Sequence, residues 1–399
     1  MTHDALVIGG GPAGATVAWL LARSGWTVAL LEKSVFPRRK VCGEFLSATS
    51  MPLLHNLGID SRFLDIAGPP VRTVGLYTGS HMLEAPMPVN HTGHAGLGRA
   101  LGREHLDDML LDGAKRAGVE VLQPCSAIAI ARDKDFHVCL AKRSASNIEL
   151  RARMVIAAHG SWEKGKLPTQ LRSRKPAPSD LLGFKAHFVR SGLPDGLIPL
   201  IAFPGGYGGM VHTDHGRVTL SCCMRRDVLK RCRNASIGSR RASNAVMGYI
   251  LEHCDGVQLA LEGAKTVGPW LSAGPIRPGL RSLYKDGVFA VGNTAGEAHP
   301  VVAEGIGMAM QGAWLLSEFL IAGRTQALRG DTDSIGRAYA RAWRRHFQSR
   351  LRMAAAIAHL AMRPEATRPL LPLFQRLPDL LTICTRLSGK TANVIAAPP

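Results

Sequence analysis

The sequence predicts an α/β protein in which a parallel-sheet nucleotide-binding domain is interrupted by a β-rich insert and followed by helices. Three observations carry this. An apolar run, 5–9 (ALVIG), passes through a glycine-rich turn into a helical stretch, 13–24, and a second apolar run, 27–31 (TVALL); this order is that of a βαβ unit. From about 179 to 269 the chain changes to short β-prone pieces with Gly-Gly turns at 205–206 and 208–209. A buried strand then returns at 287–292 (GVFAVG), and a long helix begins near 305.

Taken in order, residues 58–90 are irregular, with a strand-like piece at 71–77. Residues 103–118 form an amphipathic helix, because Leu106, Met109, Leu110 and Ala114 recur at three- and four-residue spacing. Strands follow at 119–122, 126–132, 136–141 and 153–158, the last ending in His159-Gly160. The insert supplies strands at 182–189, 197–203, 209–212 and 217–223 and a helix at 242–253. Residues 332–362 are mainly helical, with Ile335, Ala338, Tyr339, Ala342 and Trp343 on one stripe and Arg337, Arg341, Arg344, Arg345, Arg350 and Arg352 filling much of the rest. Pro364, Pro369, Pro372 and Pro378 punctuate the tail into short helices. The expected organisation is a discontinuous nucleotide-binding domain (1–70, 97–165 and 280–330), a β-rich substrate domain (71–96 and 166–279) and a helical C-terminal segment (331–399).

Lys and Arg number 49 against 30 Asp and Glu, a net charge of +19, with 46% hydrophobic and 20% charged residues. That is a folded globular composition, which excludes a disordered or fibrous chain. The eight cysteines include no CxxC pair and no zinc-like pattern with histidine, so no metal site is expected and the thiols are read as free. The N-terminus carries no basic leader, which points to a cytoplasmic protein. The apolar stretch 305–323 is interrupted by Glu318 and reads as a buried helix rather than a membrane span. No nucleic-acid-binding motif accompanies the positive charge, so no nucleic-acid partner is expected. The charge is concentrated between 324 and 390. There the default reading is a solvated basic face, and the alternative is peripheral contact with an anionic membrane or an acidic carrier protein through the basic helix.

Gly9-Gly10-Gly11-Pro12-Ala13-Gly14 satisfies G-x-G-x-x-G directly after a strand and at the start of a helix. Gly9 allows the tight turn, Gly11 lets a pyrophosphate approach, and Gly14 lets helix pack on strand, while the helix N-terminus presents free N–H groups to the phosphates. Glu32, at the end of the second strand, is placed to bind an adenosine ribose and to repel a 2′-phosphate. The nucleotide is therefore FAD or NAD rather than NADP.

Later segments separate these two. Arg103-Glu104-His105-Leu106-Asp107 opens the amphipathic helix, and Val291-Gly292-Asn293-Thr294-Ala295-Gly296 is followed by Pro300 and Glu304-Gly305-Ile306-Gly307. On these residues, most of 1–330 resembles the FAD-dependent family that includes para-hydroxybenzoate hydroxylase-type monooxygenases and geranylgeranyl reductases. The resemblance implies a Rossmann-type, glutathione reductase-like FAD domain. It assigns cofactor binding to Gly9, Gly11, Pro12, Ala13, Gly14, Glu32, Lys33, Arg39, Cys42, Gly43, Arg103 and Asn293, with Gly305, Ile306 and Gly307 facing the flavin ring. Asn293 stands where the family usually has Asp, and His159 where its hydroxylases have Asp.

Lys40-Val41-Cys42-Gly43 looks like the Lys-x-Cys-Gly segment of geranylgeranyl reductases. Cys42, beside Arg and Lys, is a candidate proton donor or a small buried thiol. Glu44 is a candidate general acid/base, or the ion-pair partner of Arg39 or Lys40. Of the reductases' aromatic lipid-pocket motif only Tyr207 remains, and the W-x-W-x-I-P signature of flavin halogenases is missing. The resemblance implies, first, a monooxygenase that hydroxylates or epoxidises a hydrophobic or aromatic small molecule through a flavin hydroperoxide, with NADH or NADPH as electron donor. The alternatives are a geranylgeranyl reductase-like ene-reductase, with Cys42 supplying the proton, and a non-catalytic FAD or electron-carrier protein.

Overall fold

A computed structural model of the chain describes residues 2–88, 97–161, 165–235, 241–390 and 394. Among these, Thr2–Ile8 lies at the centre of the first sheet, parallel to Val28–Leu31 on one side and Ser146–Ala157 on the other. Glu120–Leu122 and Val288–Ala290 extend the parallel sheet outward, and Tyr284–Lys285 closes one edge. From Ala5 to Ile8 the central strand is apolar and buried because both of its faces are covered. Ala5 and Val7 face a core built with the helices Pro12–Arg23, Arg103–Arg116 and Gly305–Ala322. Leu6 and Ile8 face a second layer that includes Cys139 and Ala141 of Phe136–Arg143. Gly305–Ala322 is long and apolar enough to cross a membrane by length and composition, yet 67% of it is buried inside the fold.

The second sheet has seven strands among the described residues. They run in the order Lys265–Ile276, Leu181–Val189, Val218–Arg225, Gly206–His212, Leu197–Phe203, Thr73–Thr78 and His81–Pro86. Its pairs are antiparallel except Leu197–Phe203 with Thr73–Thr78. Phe184, Ala186 and Phe188 alternate toward a core shared with Ala242–His253 and Asp255–Leu261. Sequence reading does not reveal Lys265–Ile276. It contains Pro269 and Pro275, which an edge strand tolerates because one side needs no ladder partner. Trp270, on this strand, packs edge-on against Phe188 with ring centroids 6.5 Å apart.

The helix Asp333–Ala361 buries Tyr339, Trp343 and Phe347 in the first core and Ala358 and Ala361 against the second sheet. Arg350 departs from the expected basic face: it is buried and donates to Gln311 Oε1 at 3.3 Å. Pro364–Thr367, Leu371–Arg376 and Asp379–Thr385 then lie near the outer strands of the second sheet, where Thr382 Oγ1 donates to the Pro86 carbonyl at 2.7 Å.

The two sheets meet at Glu44, which is fully buried and adopts φ +63°, a left-handed conformation costly for a residue with a Cβ. Four donors among the described residues hold its carboxylate. Oε1 accepts from the Arg103 backbone N–H at 2.9 Å and from Lys185 Nζ; Oε2 accepts from His187 Nε2 at 2.9 Å and from Thr219 Oγ1 at 2.6 Å. Burial alone would raise the Glu44 pKa, but the His187 hydrogen bond and the Lys185 charge outweigh it and leave the carboxyl at about 2. Sequence reading paired Glu44 with Arg39 or Lys40; its partners are Lys185 and His187, because the opposing strand turns those two side chains toward it.

This carboxyl is depressed relative to an unfolded Glu, so the stability it adds is complete above about pH 4.5 and is lost as pH falls toward 2. Glu44→Gln leaves the Lys185 charge buried without its partner and is expected to cost on the order of 3–5 kcal/mol. Adding Lys185→Met should recover much of that loss. Urea unfolding of the three proteins checks this, and a Glu44→Gln change below about 1 kcal/mol would contradict it.

Candidate functional site

A cavity of about 490 Å³ runs along the carboxyl ends of the first sheet. The three sequence segments singled out above converge on it: Gly9, Gly11, Pro12 and Ala13 from the first turn, Arg103 from its helix, and Gly292, Asn293, Gly305 and Ile306 from the later segment. Glu32, Lys33, Arg39, Cys42 and Gly43 also line it. Gly9 has φ +109°, and a Cβ there would lie 2.5 Å from the Ala158 carbonyl oxygen, so the turn requires glycine. Gly14 lies behind the cavity wall, where a Cβ would collide with the Gly9 carbonyl; it packs helix on strand. Gly307 is a correction. It faces Ser50, 2.9 Å from where its Cβ would stand, because the side of the helix that reaches the cavity carries Gly305, Ile306 and Ala309.

The charges around the turn are ordered. Gly10 and Ser34 donate their N–H groups to Glu32, at 2.8 and 2.9 Å. Arg103 grips Asp107 through two 2.7 Å hydrogen bonds. Arg38 stands 3.7 Å from Glu32 and 3.8 Å from Asp107, and Arg39 lies 3.4 Å from Glu104. Burial, then the charges of Arg103 and Arg38, lower the Lys40 pKa to about 8. The wall nearest the turn is thus crowded with cations, and Arg38 Nε is buried without a hydrogen-bond partner. Together with the glycine cradle and the helix N-terminus at Pro12, this donor set fits a dinucleotide diphosphate. At the opposite side Asn293 Nδ2 donates to Glu297 Oε1 at 3.1 Å, and His159 is held by Thr169 Oγ1 and the Gly160 carbonyl, both at 2.8 Å.

A second cavity of about 280 Å³ lies beside the first, and Val41, Cys42, Gly43, Pro300 and Ala303 line both. Its wall is mainly aliphatic: Leu76, Ile198, Leu200 and Met210 from the second sheet, and Ile357, Leu371, Phe374 and Leu381 from the C-terminal helices. Cys42 is half-buried at the shared rim. The Glu44 N–H donates to its Sγ at 3.4 Å, and the Arg103 guanidinium lies close enough to act on it electrostatically. Glu44 itself, ionised and saturated with donors, has no proton to give near neutral pH. That corrects its candidacy as a general acid and leaves it a positioning residue.

At the polar end of this second cavity stands Tyr207, the residue left of the lipid-pocket motif, with a partner that the sequence did not reveal. Tyr207 lies 3.1 Å from His299 Nδ1, and burial, with the nearby His359, lowers the His299 pKa to about 4. Burial holds the Tyr207 hydroxyl well above its usual range, so the pair is neutral at pH 7. His105, Asp214 and His215 bring ligand atoms within 4.8 Å of one another, but Arg217 and the Gly102 N–H already hold Asp214.

Residues 2–212 match the FAD binding domain family. The chain is 25% identical to conditioned medium factor receptor 1 of Dictyostelium discoideum over 80% of its own length and 63% of that protein's, so it spans less than two thirds of that relative. It is 27% identical to digeranylgeranylglycerophospholipid reductase 2 of Methanopyrus kandleri over 77% of this chain and 74% of that one. The solved structure of the myxobacterial chondrochloren halogenase, a FAD-dependent halogenase, superposes with a TM-score of 0.77 at 19% identity, covering 98% of this chain and 97% of the other, which shows a shared fold. The matched segment builds the glycine-turn side of the cavity and spans more than half of the chain, and the chain belongs to the FAD binding domain family.

Proposed function

We propose that this protein reduces a carbon–carbon double bond in an elongated, mainly aliphatic substrate. The observation that carries this reading is the position of Cys42, a thiol on the rim shared by the nucleotide-shaped cavity and the aliphatic one. Backbone N–H groups at Gly11 and Ala13, with Arg103 and Asn293, would hold the FAD diphosphate and ribitol, and Glu32 the adenosine ribose. Bound FAD, reduced by NADH or NADPH, would supply the electron pair.

The residues of the chain do the rest. The aliphatic wall desolvates the substrate and sets its length. Cys42 protonates the carbon left electron-rich, and Arg103 and the Glu44 N–H stabilise the thiolate until solvent reprotonates it. The reductase name of the Methanopyrus relative supports the same reading.

Oxygen-dependent hydroxylation or epoxidation is the second reading, and the Tyr207–His299 pair favours it. A neutral polar pair at one end of an aliphatic cavity suits a substrate with a hydroxylated ring.

Gly11→Val fills the space over the turn, where a Cβ at Gly11 has only Arg103 Nη2 within reach, at 3.9 Å. The variant is expected to fold with unchanged circular dichroism but to purify colourless, whereas a yellow product would contradict the cofactor assignment. Anaerobic turnover with NADH and then NADPH, using a prenyl lipid, should yield product with two added hydrogens; a reaction that proceeds only in air would replace reduction with hydroxylation. Cys42→Ser should lower the anaerobic rate roughly 100-fold while the flavin remains bound. An unchanged rate would remove the thiol from the reaction.

A further inference from the structure

Eleven large hydrophobic side chains stand exposed among the described residues, and six of them fall within residues 360–387. Leu360, Leu370, Leu373, Leu377, Ile383 and Leu387 are each 45–58% exposed. The same short helices expose Arg363, Arg368, Arg376 and Arg386, against Glu365 and Asp379. Apolar side chains gathered in this way mark a contact surface rather than ordinary surface scatter. The inner side of these helices roofs the aliphatic cavity, and Leu360 and Leu370 belong both to its wall and to the exterior. One layer of side chains therefore separates the cavity from the outside.

We propose that this face docks on an anionic lipid bilayer and that the substrate enters the second cavity from the bilayer between the tail helices. The proposal rests on reading that cavity as the site of an aliphatic substrate. Charge selects the partner, because leucines interleaved with arginines suit the boundary between acyl chains and anionic headgroups. It also moves the membrane contact off the basic middle of the long helix, whose last turn carries Leu360. In that middle stretch Arg337, Arg341, Arg344 and Arg345 stand exposed with no exposed large apolar side chain among them, the pattern of a solvated face. An acidic carrier protein would answer the arginines but would leave the apolar side chains between them unexplained.

The test is co-sedimentation of the flavin-loaded protein with phosphatidylcholine vesicles, with and without phosphatidylglycerol. Binding should require the anionic lipid and weaken at about 0.5 M salt. Arg368→Ala with Arg376→Ala should lower partitioning roughly 30-fold, and Leu373→Asp with Leu377→Asp should abolish it. None of these four residues lines the cavity, so flavin absorbance and melting temperature should stay unchanged. Absence of binding, or binding indifferent to both pairs, would overturn the proposal. So would a dimer in gel filtration that the leucine substitutions dissociate, or binding to an acyl carrier protein in place of vesicles. A protein that docks but reduces no double bond keeps this surface and loses the reaction. One that reduces a detergent-dispersed prenyl lipid but ignores vesicles does the reverse.

Discussion

Glu44 is a carboxylate withdrawn from water and held by donors from three distant parts of the chain: the N-terminus of the Arg103–Arg116 helix, the Leu181–Val189 strand and the Val218–Arg225 strand. Isolated burial of such a charge is prohibitive, so its ionised state exists only because Lys185, His187 and Thr219 arrive together. The geometry this imposes reaches further than its energy. Cys42 lies two residues away and takes its N–H donor from Glu44 itself, and Arg103, whose backbone N–H caps the carboxylate, turns its guanidinium into the first cavity. One buried ion therefore ties the thiol and Arg103 to the second sheet.

The two cavities meeting at that seam are opposites in chemistry. The first gathers Arg38, Arg39, Lys40 and Arg103 around a glycine turn and a helix N-terminus. Burial first, and then repulsion from Arg103 and Arg38, brings the Lys40 pKa to about 8, and a bound diphosphate would relieve the repulsion. The second is walled mainly by leucine, isoleucine, valine and methionine with a few neutral hydroxyls, and the Tyr207–His299 pair at one end is neutral at pH 7. On the proposed reading, the rim the two cavities share is where an electron pair and a proton would reach the same bond.

How much of this was legible in the sequence follows from how local each feature is. The βαβ unit and the glycine turn lie within one short segment, and each glycine's role can be stated from neighbours along the chain, so the cradle was readable. Glu44 was visible as a residue, but its partners lie about 140 positions downstream. The strand LLGFKAHFV did carry a signal: Phe184, Ala186 and Phe188 alternate with Lys185 and His187, which puts two basic groups on one face of a buried strand. Such a face demands a buried anion, though nothing in the strand says which one. The strand Lys265–Ile276 was illegible for a different reason, since its prolines and glycines contradict β-propensity and only its edge position permits them. Arg350 misled through its type, because arginine counts as surface until a buried glutamine accepts from it.

The C-terminal residues read in sequence as a separate helical segment, and packing gives them another role. Tyr339, Trp343 and Phe347 are part of the first core, while Ala358 and Ala361, some four turns further along the same helix, are part of the cluster beneath the second sheet. A helix that shares a core with each sheet is a strut between them, and it spans the same junction that Glu44 pins from the other side. With both ties in place, the rim around Cys42 is held at two points and cannot open without exposing either a buried ion pair or an aromatic row. The short-helix roof beyond residue 361 is tied less firmly, burying Leu371 and Leu381 while Leu370, Leu373, Leu377 and Leu387 stand outside. On the proposed reading, a substrate too long and too apolar to arrive through water would pass through that roof without disturbing the rim around Cys42.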